Sequence, residues 1–195
     1  MIKTRYQIPT ASPGAILREE KRRGTELGIT ADQLTSKGQL LPDEIIVAVV
    51  RSWLVGQNSA FLFDGFPRTV GQADALEQIL AGRGKPLDVA IALDCNAGTL
   101  KHRVLNRLVC SDCGHVFSVG WQVPDAQTPC PHCGGHLEKR RDDTLETLEH
   151  RLCEYFDKTE PLLAYYEQRG LLRRVDADGP ADRVSADIAA ILEAA

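Results

Sequence analysis

Apolar positions recur along this chain in two rhythms. Over residues 42–54, Ile45, Ile46, Val49, Val50, Trp53 and Leu54 share one helical stripe. Pro42, Asp43 and Glu44 open that helix, with proline in the first turn and acids at the positive end of the dipole. Residues 15–23, 69–80, 97–108, 144–157, 160–168 and 181–192 predict further helices, and Gly82 and Gly84 end the second of these. Short apolar runs predict strands at 8–12, 60–63, 89–93 and 171–175, those at 60–63 and 89–93 buried. Strands alternating with helices predict an α/β fold, a parallel sheet with helices on both faces. Ligands in such sheets bind at the carboxyl ends of the strands.

Residues 109–137 break the pattern. They are rich in Cys, Gly, Pro and His and carry no helical period, which marks a lobe inserted into a core of residues 1–108 and 138–195. Cys110-x-x-Cys113 and Cys130-x-x-Cys133 stand 16 residues apart. Two such knuckles converge into a tetrahedral thiolate site suited to structural Zn²⁺; free or disulfide-bonded cysteines are the alternative. Turn residues Asp112, Gly114, His132, Gly134 and Gly135 suit tight knuckles, and His115, His132 and His136 are expected to be exposed loop residues. Four thiolates leave no open position, so zinc catalysis is not expected. The lobe has little apolar content and is expected to need its metal to fold. Cys95 and Cys153 stand alone and read as buried small hydrophobes.

Composition narrows the class. The chain has 195 residues, 43% hydrophobic, with a formal net charge of −4, so no overall basic surface recruits nucleic acid. No apolar run approaches the roughly 18 residues of a membrane span, and the N-terminus lacks a secretion signal. These features predict a cytoplasmic protein, with no membrane or nucleic-acid partner and a monomeric state.

Candidate chemistry follows the run at 60–63. Asp64-Gly65-Phe66-Pro67-Arg68 leaves it directly. Glycine lets a ligand approach the backbone, proline sets the turn, arginine offers a planar fork to a phosphate, and the aspartate could hold Mg²⁺ through water. A plain βα turn is the bland alternative. Arg103 and Arg107 lie before the lobe at i and i+4 on one predicted helix face, and Arg140, Arg141 and Arg151 lie after it. Each alone could belong to a surface salt-bridge face.

Taken together these pieces resemble the adenylate kinase family, in its long form with a zinc lid. The matching segments are Tyr6-Gln7-Ile8-Pro9, Leu17-Arg18, Gly38-Gln39-Leu40-Leu41-Pro42-Asp43-Glu44, Phe63 through Thr69 with Gln72-Ala73, Arg103 with Arg107, the four-cysteine lid, Arg140-Arg141-Asp142-Asp143, Arg151-Leu152 and Tyr165-Tyr166. The resemblance implies reversible phosphoryl transfer, ATP + AMP = 2 ADP, with Mg²⁺ accompanying ATP and zinc in the lid. By the same resemblance, Arg18, Arg68 and Arg151 clamp the AMP phosphate, with Arg140 nearby. Residues 12–42 form the AMP-binding part, where Pro13, Gln39, Leu40 and Leu41, with Gly65, Phe66 and Pro67 from the later loop, line the AMP pocket. Gln72 reads the adenine edge. Arg103 and Arg107 reach the ATP phosphates, Val116 and Phe117 lie against the ATP base, Asp64 sits near Mg²⁺, and Asp142 and Asp143 lie at the lid hinge. The catalytic set is Arg68, Arg107, Arg140, Arg151 and Asp64, with positioning and charge neutralisation doing the chemistry.

Two departures bear on this. The family's first strand and glycine-rich, lysine-bearing phosphate loop have no counterpart in the 195 residues, and Gly82-Arg83-Gly84-Lys85 is a decoy, with Ile79 in place of the first glycine and Pro86 after the lysine. Roughly 20 residues are expected upstream, counting a strand, the loop and the start of a helix. The lost strand is expected to be interior to the sheet, leaving its neighbours with unpaired edges. At Ser12-Pro13-Gly14-Ala15 the family has Ser-Thr-Gly-Asp, so Pro13 brings neither a hydroxyl nor an N–H and Ala15 no carboxylate. The competing functions are a catalytically impaired nucleotide-binding paralogue and a zinc-ribbon interaction module.

Overall fold

The computed structural model of the chain describes residues 5–36, 41–140 and 143–194. In place of one parallel sheet, the described residues form two separate two-stranded parallel pairs. Strand β1 (Thr10–Ala11) pairs with β2 (Leu62–Phe63), and β3 (Ala90–Asp94) pairs with β7 (Leu172–Asp176). Among the described residues no ladder joins the pairs. The α/β class is as predicted, but the strands at 8–12 and 60–63 shorten to two residues each.

The chain between strands is helical: α1 (Pro13–Arg23), α2 (Glu26–Ser36), α3 (Asp43–Val55), α4 (Val70–Ala81), α5 (Ala97–Leu105), α6 (Leu145–Glu154), α7 (Pro161–Gln168) and α8 (Ala181–Ala194). Local chemistry sets their ends. Ser12 Oγ accepts from Ala15 N–H at the start of α1, with Pro13 in the first turn and Gly24 (φ 68°) closing the helix. Thr69 and Asn96 cap α4 and α5 in the same way. Helix α2 is absent from the sequence reading because it has no clear apolar stripe. It is held by close packing on α1, where a Cβ at Gly28 would lie 2.4 Å from the Glu20 carbonyl carbon. The helix predicted over 144–157 divides, with α6 passing into a π turn (Tyr155–Thr159) before α7.

The main core lies against β1 and β2. Val49, Val50 and Leu54 of α3 are fully buried, as the stripe predicts, beside Ile16, Phe66, Leu76 and Leu80. Burying each such side chain contributes about 1.5–3 kcal/mol. Trp53, Phe61, Phe63 and Phe66 form an aromatic chain with centroids 5.3–5.9 Å apart. The decoy lysine segment braces this core: the Arg83 guanidinium donates to the carbonyls of Leu54 and Gln57, and the Lys85 ammonium donates to that of Asn58, holding the end of α3.

Neither run expected to be buried is so. Leu62 and Phe63 are half-buried, and Leu93 is 54% exposed. Both strands border a cavity of ≈ 570 Å³. It is lined by consecutive residues on each side, 60–63 and 87–94. Consecutive lining residues mean that strand edges, not faces, border the cavity. Cys95 is half-buried and Cys153 exposed, against the expectation for both; Cys95 sits in the loop after β3, with Sγ 3.4 Å from Asp178 Oδ1.

Candidate active site and cysteine lobe

The loop at the carboxyl end of β2 carries Asp64 through Arg68, and the other candidate side chains come from neighbouring helices and the lobe. Pairing Ala11 with Phe63 brings Ser12-Pro13 and Asp64-Gly65 to one edge, and Asp64 N–H donates to Ala11 C=O at 2.9 Å. Gly65 has φ 68°, a conformation that favours glycine, and the Phe66–Pro67 peptide is cis. Phe66 is buried and anchors the loop, while Asp64 and Arg68 are exposed. Arg68 folds back so that its Nε–H donates to Gly65 C=O at 2.9 Å; Thr159 Oγ1 donates to its carbonyl.

Gln72 is 5% exposed and fully engaged with the protein. Its Oε1 accepts from Arg68 N–H at 2.8 Å, and its Nε2 donates to Asp43 Oδ1 at 2.6 Å. Thr69 Oγ1 donates to the other Asp43 oxygen. The amide therefore ties the loop to the start of α3 in this structure. Arg18, on α1, is exposed, and its Nη1 would lie 3.5 Å from a Cβ at Gly14. Leu41 is half-buried; Gln39 and Leu40 lie outside the described residues, as do Arg141 and Asp142. Arg140 and Arg151 are exposed.

On the second pair, β3 runs into Cys95-Asn96 and β7 into 177–180. Asp178 binds the Asn96 N–H, which joins the two loops and lowers the Asp178 pKa. Arg103 donates to Gly179 C=O at 3.0 Å.

Arg107 requires a correction. The helix expected over 97–108 ends at Leu105, and β4 (Arg107–Cys110) begins two residues later. Arg103 and Arg107 do not share a helix face. Asn106 caps the helix, its Nδ2 donating to His102 C=O, and β4 is claimed by β5 (Val116–Ser118) and β6 (Leu137–Glu138) on its two sides. Arg107 instead makes a two-pronged contact with Asp143, at 2.7 and 2.5 Å; the Asp143 side chain is 2% exposed.

The lobe is built around β4. Leu108, Leu137 and Val123 are at most 3% exposed, so it has a small apolar core that the composition had not suggested. Its two knuckles repeat one geometry: Gly114 N–H donates to Cys110 C=O at 3.0 Å, and Gly134 N–H to Cys130 C=O at 2.7 Å. Both glycines have positive φ, 71° and 78°. All four sulfurs lie within 4.8 Å of one another, with Cys110 and Cys133 3.5 Å apart and Cys113 and Cys130 3.7 Å apart. The Cys113 amide helps hold the Cys110 thiol down to about 7. Cys133 is pushed up to about 12: the Gly135 amide favours its thiolate, but the thiols of Cys113 and Cys110 compete with it for charge. Four soft donors this close fit a tetrahedral divalent ion, which would relieve that competition. His115, His132 and His136 are exposed, as expected.

Val116 is 48% exposed and Phe117 half-buried on β5. Sequence reasoning passed over Trp121 at the tip beyond β5. Its ring stacks on His102 at 4.4 Å and lies 5.4 Å from the Arg103 guanidinium, joining lobe to core. A lone tryptophan in an irregular segment gives no periodic signal. Among the described residues, no helix is long and apolar enough to cross a membrane.

A family model described as adenylate kinase matches residues 1–171. The adenylate kinase of Syntrophomonas wolfei subsp. wolfei is 42% identical over 195 residues, 99% of this chain and 91% of the relative. That of Desulfitobacterium hafniense is 40% identical over 192 residues, 97% and 88% of the two chains. That of Acidothermus cellulolyticus is 41% identical over 194 residues, 98% and 89%.

Proposed function

Since the chain belongs to the adenylate kinase family, a family of phosphotransferases, we propose that it carries out reversible transfer of the terminal phosphate of ATP to AMP. The observation that supports this is that Arg68 folds onto Gly65 and Arg18 reaches Gly14, both in segments that leave the carboxyl ends of one parallel pair, while Arg103 binds Gly179 beyond the other. Ligands of open α/β sheets bind at such edges. Arg18, Arg68, Arg140 and Arg151 then hold the AMP phosphate, in a pocket lined by Pro13, Gln39, Leu40, Leu41, Gly65, Phe66 and Pro67. Gln72 faces the AMP base after trading its present hydrogen bonds. Arg103 and Arg107 serve ATP, with Val116 and Phe117 toward its base. No covalent intermediate is required: guanidinium groups align the phosphates and neutralise the transferring group. Mg²⁺ accompanies ATP and adds positive charge there, with Asp64 the carboxylate suited to hold it through water. Zn²⁺ is the ion suited to the four thiolates. Residues 109–137 act as a lid that excludes water, within a cytoplasmic monomer.

The transfer also needs a phosphate-cradling loop, and the strand that carries it is taken to pair with the free edges of β2 and β3. The bare edges around the ≈ 570 Å³ cavity support it. ADP formation is measured for the 195-residue chain and for the chain extended by a strand and a glycine-rich, lysine-bearing loop. Activity is expected only in the extended form, and there Arg68→Ala weakens AMP binding roughly tenfold to a hundredfold, the loss of a charged hydrogen bond. Ordinary turnover by the 195-residue chain would refute the role given to the loop. Equal AMP binding by Arg68→Ala and its parent would remove the clamp.

A further inference from the structure

One side of the cysteine lobe carries two imidazoles that a single tetrathiolate ion leaves unused, beside one of its sulfurs. Cys113 Sγ and a nitrogen from each of His115 and His132 lie within 4.8 Å of one another. The histidines come from different knuckles, and their rings are stacked at 3.6 Å with 19° between the planes, so a shared ion requires the two exposed rings to swing apart and turn a nitrogen each toward it. Both are exposed, and Cys113 is half-buried between them and the buried sulfurs of Cys110 and Cys130. We propose that Cys113, His115 and His132 hold a second thiophilic divalent cation, with Cys113 as a thiolate bridging the two ions.

Three arguments support this. The donors are a thiolate and two imidazoles, a set suited to Zn²⁺ and its heavier congener Cd²⁺. A dication held by four thiolates is a net anionic centre, so its half-exposed sulfur remains an electron donor toward a second cation. Three protein ligands leave a fourth position for water, unlike the closed site beside it. The second ion is therefore expected to exchange readily and to bind more weakly than the first.

The inference rests on the tetrathiolate reading, and the test separates the two. The chain is titrated with ¹¹³Cd²⁺ and followed by cadmium NMR, with native mass spectrometry counting ions. The expected result is two resonances, one from an all-sulfur site filling first and one from a sulfur-nitrogen site filling second. In His115→Ala/His132→Ala the second resonance and the second ion are lost, while the all-sulfur resonance persists and certifies the folded lobe. His136→Ala, which alters another exposed histidine of the lobe, keeps both. If the double variant also loses the all-sulfur resonance, His132→Gln alone is read by the same criterion. A single all-sulfur resonance in the parent overturns the second site and leaves the first. Two resonances in the histidine variants overturn it equally, and no bound cadmium overturns both readings.

Discussion

In the cysteine lobe, β4 has a strand on each side, and Leu108 at its centre is fully shielded. In the parallel sheet, β2 and β3 each have one strand partner among the described residues, and Leu93 is 54% exposed. Both regions place apolar residues on their strands. The lobe closes because its partners lie within about thirty residues of one another, and two repeated knuckles bring the donors together. The sheet joins strands far apart in sequence, and its cavity is bordered by backbone edges that only another extended segment can pair. Burial of an apolar strand therefore depends on its neighbours as much as on its composition.

Three perturbations would break or sharpen this contrast. The largest effect should come from metal removal. Chelation, or Cys110→Ser with Cys130→Ser, should open the lobe to proteolysis within 109–137 while the helical signal of the core persists. Structural zinc sites contribute on the order of 10–16 kcal/mol, far more than the small apolar cluster here. A lobe equally resistant with and without metal would show that its core suffices. Next comes a matched pair of truncations. Leu108→Ala should cost about 2–5 kcal/mol through the cavity it leaves. Leu93→Ala should cost under about 1 kcal/mol, since its side chain is already largely in water. Equal losses in denaturant melts would erase the distinction between the strands.

The smallest effect is a pH dependence confined to the sheet side. Burial first, then the Glu77 carboxylate, push the Tyr166 hydroxyl up to about 12. Because its folded pKa exceeds the unfolded value near 10, the folded state keeps a proton that the unfolded chain gives up. Its contribution is therefore full below about pH 10 and is lost as pH rises toward 12. Tyr166→Phe should flatten the fall in stability over that window, in melts followed at several pH values. An unchanged slope would assign the alkaline loss elsewhere.

Legibility in the sequence followed the range of the interactions. The α3 stripe was readable because helical periodicity and first-turn acids act over a few residues, and Val49, Val50 and Leu54 are buried as the pattern implies. The knuckles were readable because the spacing of two cysteines and a glycine is itself the geometry. Arg107 was misplaced because 97–108 keeps an apolar rhythm compatible with helix, and only pairing of Arg107 with Ser118 and Leu108 with Phe117 makes its end a strand. Cys95 and Cys153 were misjudged because a lone cysteine carries no information about what covers it. Helix α2 escaped because it rests on contact with α1 at Gly28 rather than on a stripe of its own.

By itself, then, the sequence determined the α/β class, the helix caps, the four-thiol cluster and the order of arginines that leads to the adenylate kinase family. The tertiary structure alone decided that Arg107 grips Asp143, that Gln72 is tied to Asp43 and Arg68, and that His115 stacks on His132 beside Cys113. The reason is physical: caps and knuckles are satisfied by neighbours a few bonds away, whereas an ion pair or a bare strand edge is settled by residues the chain brings back from far along its length.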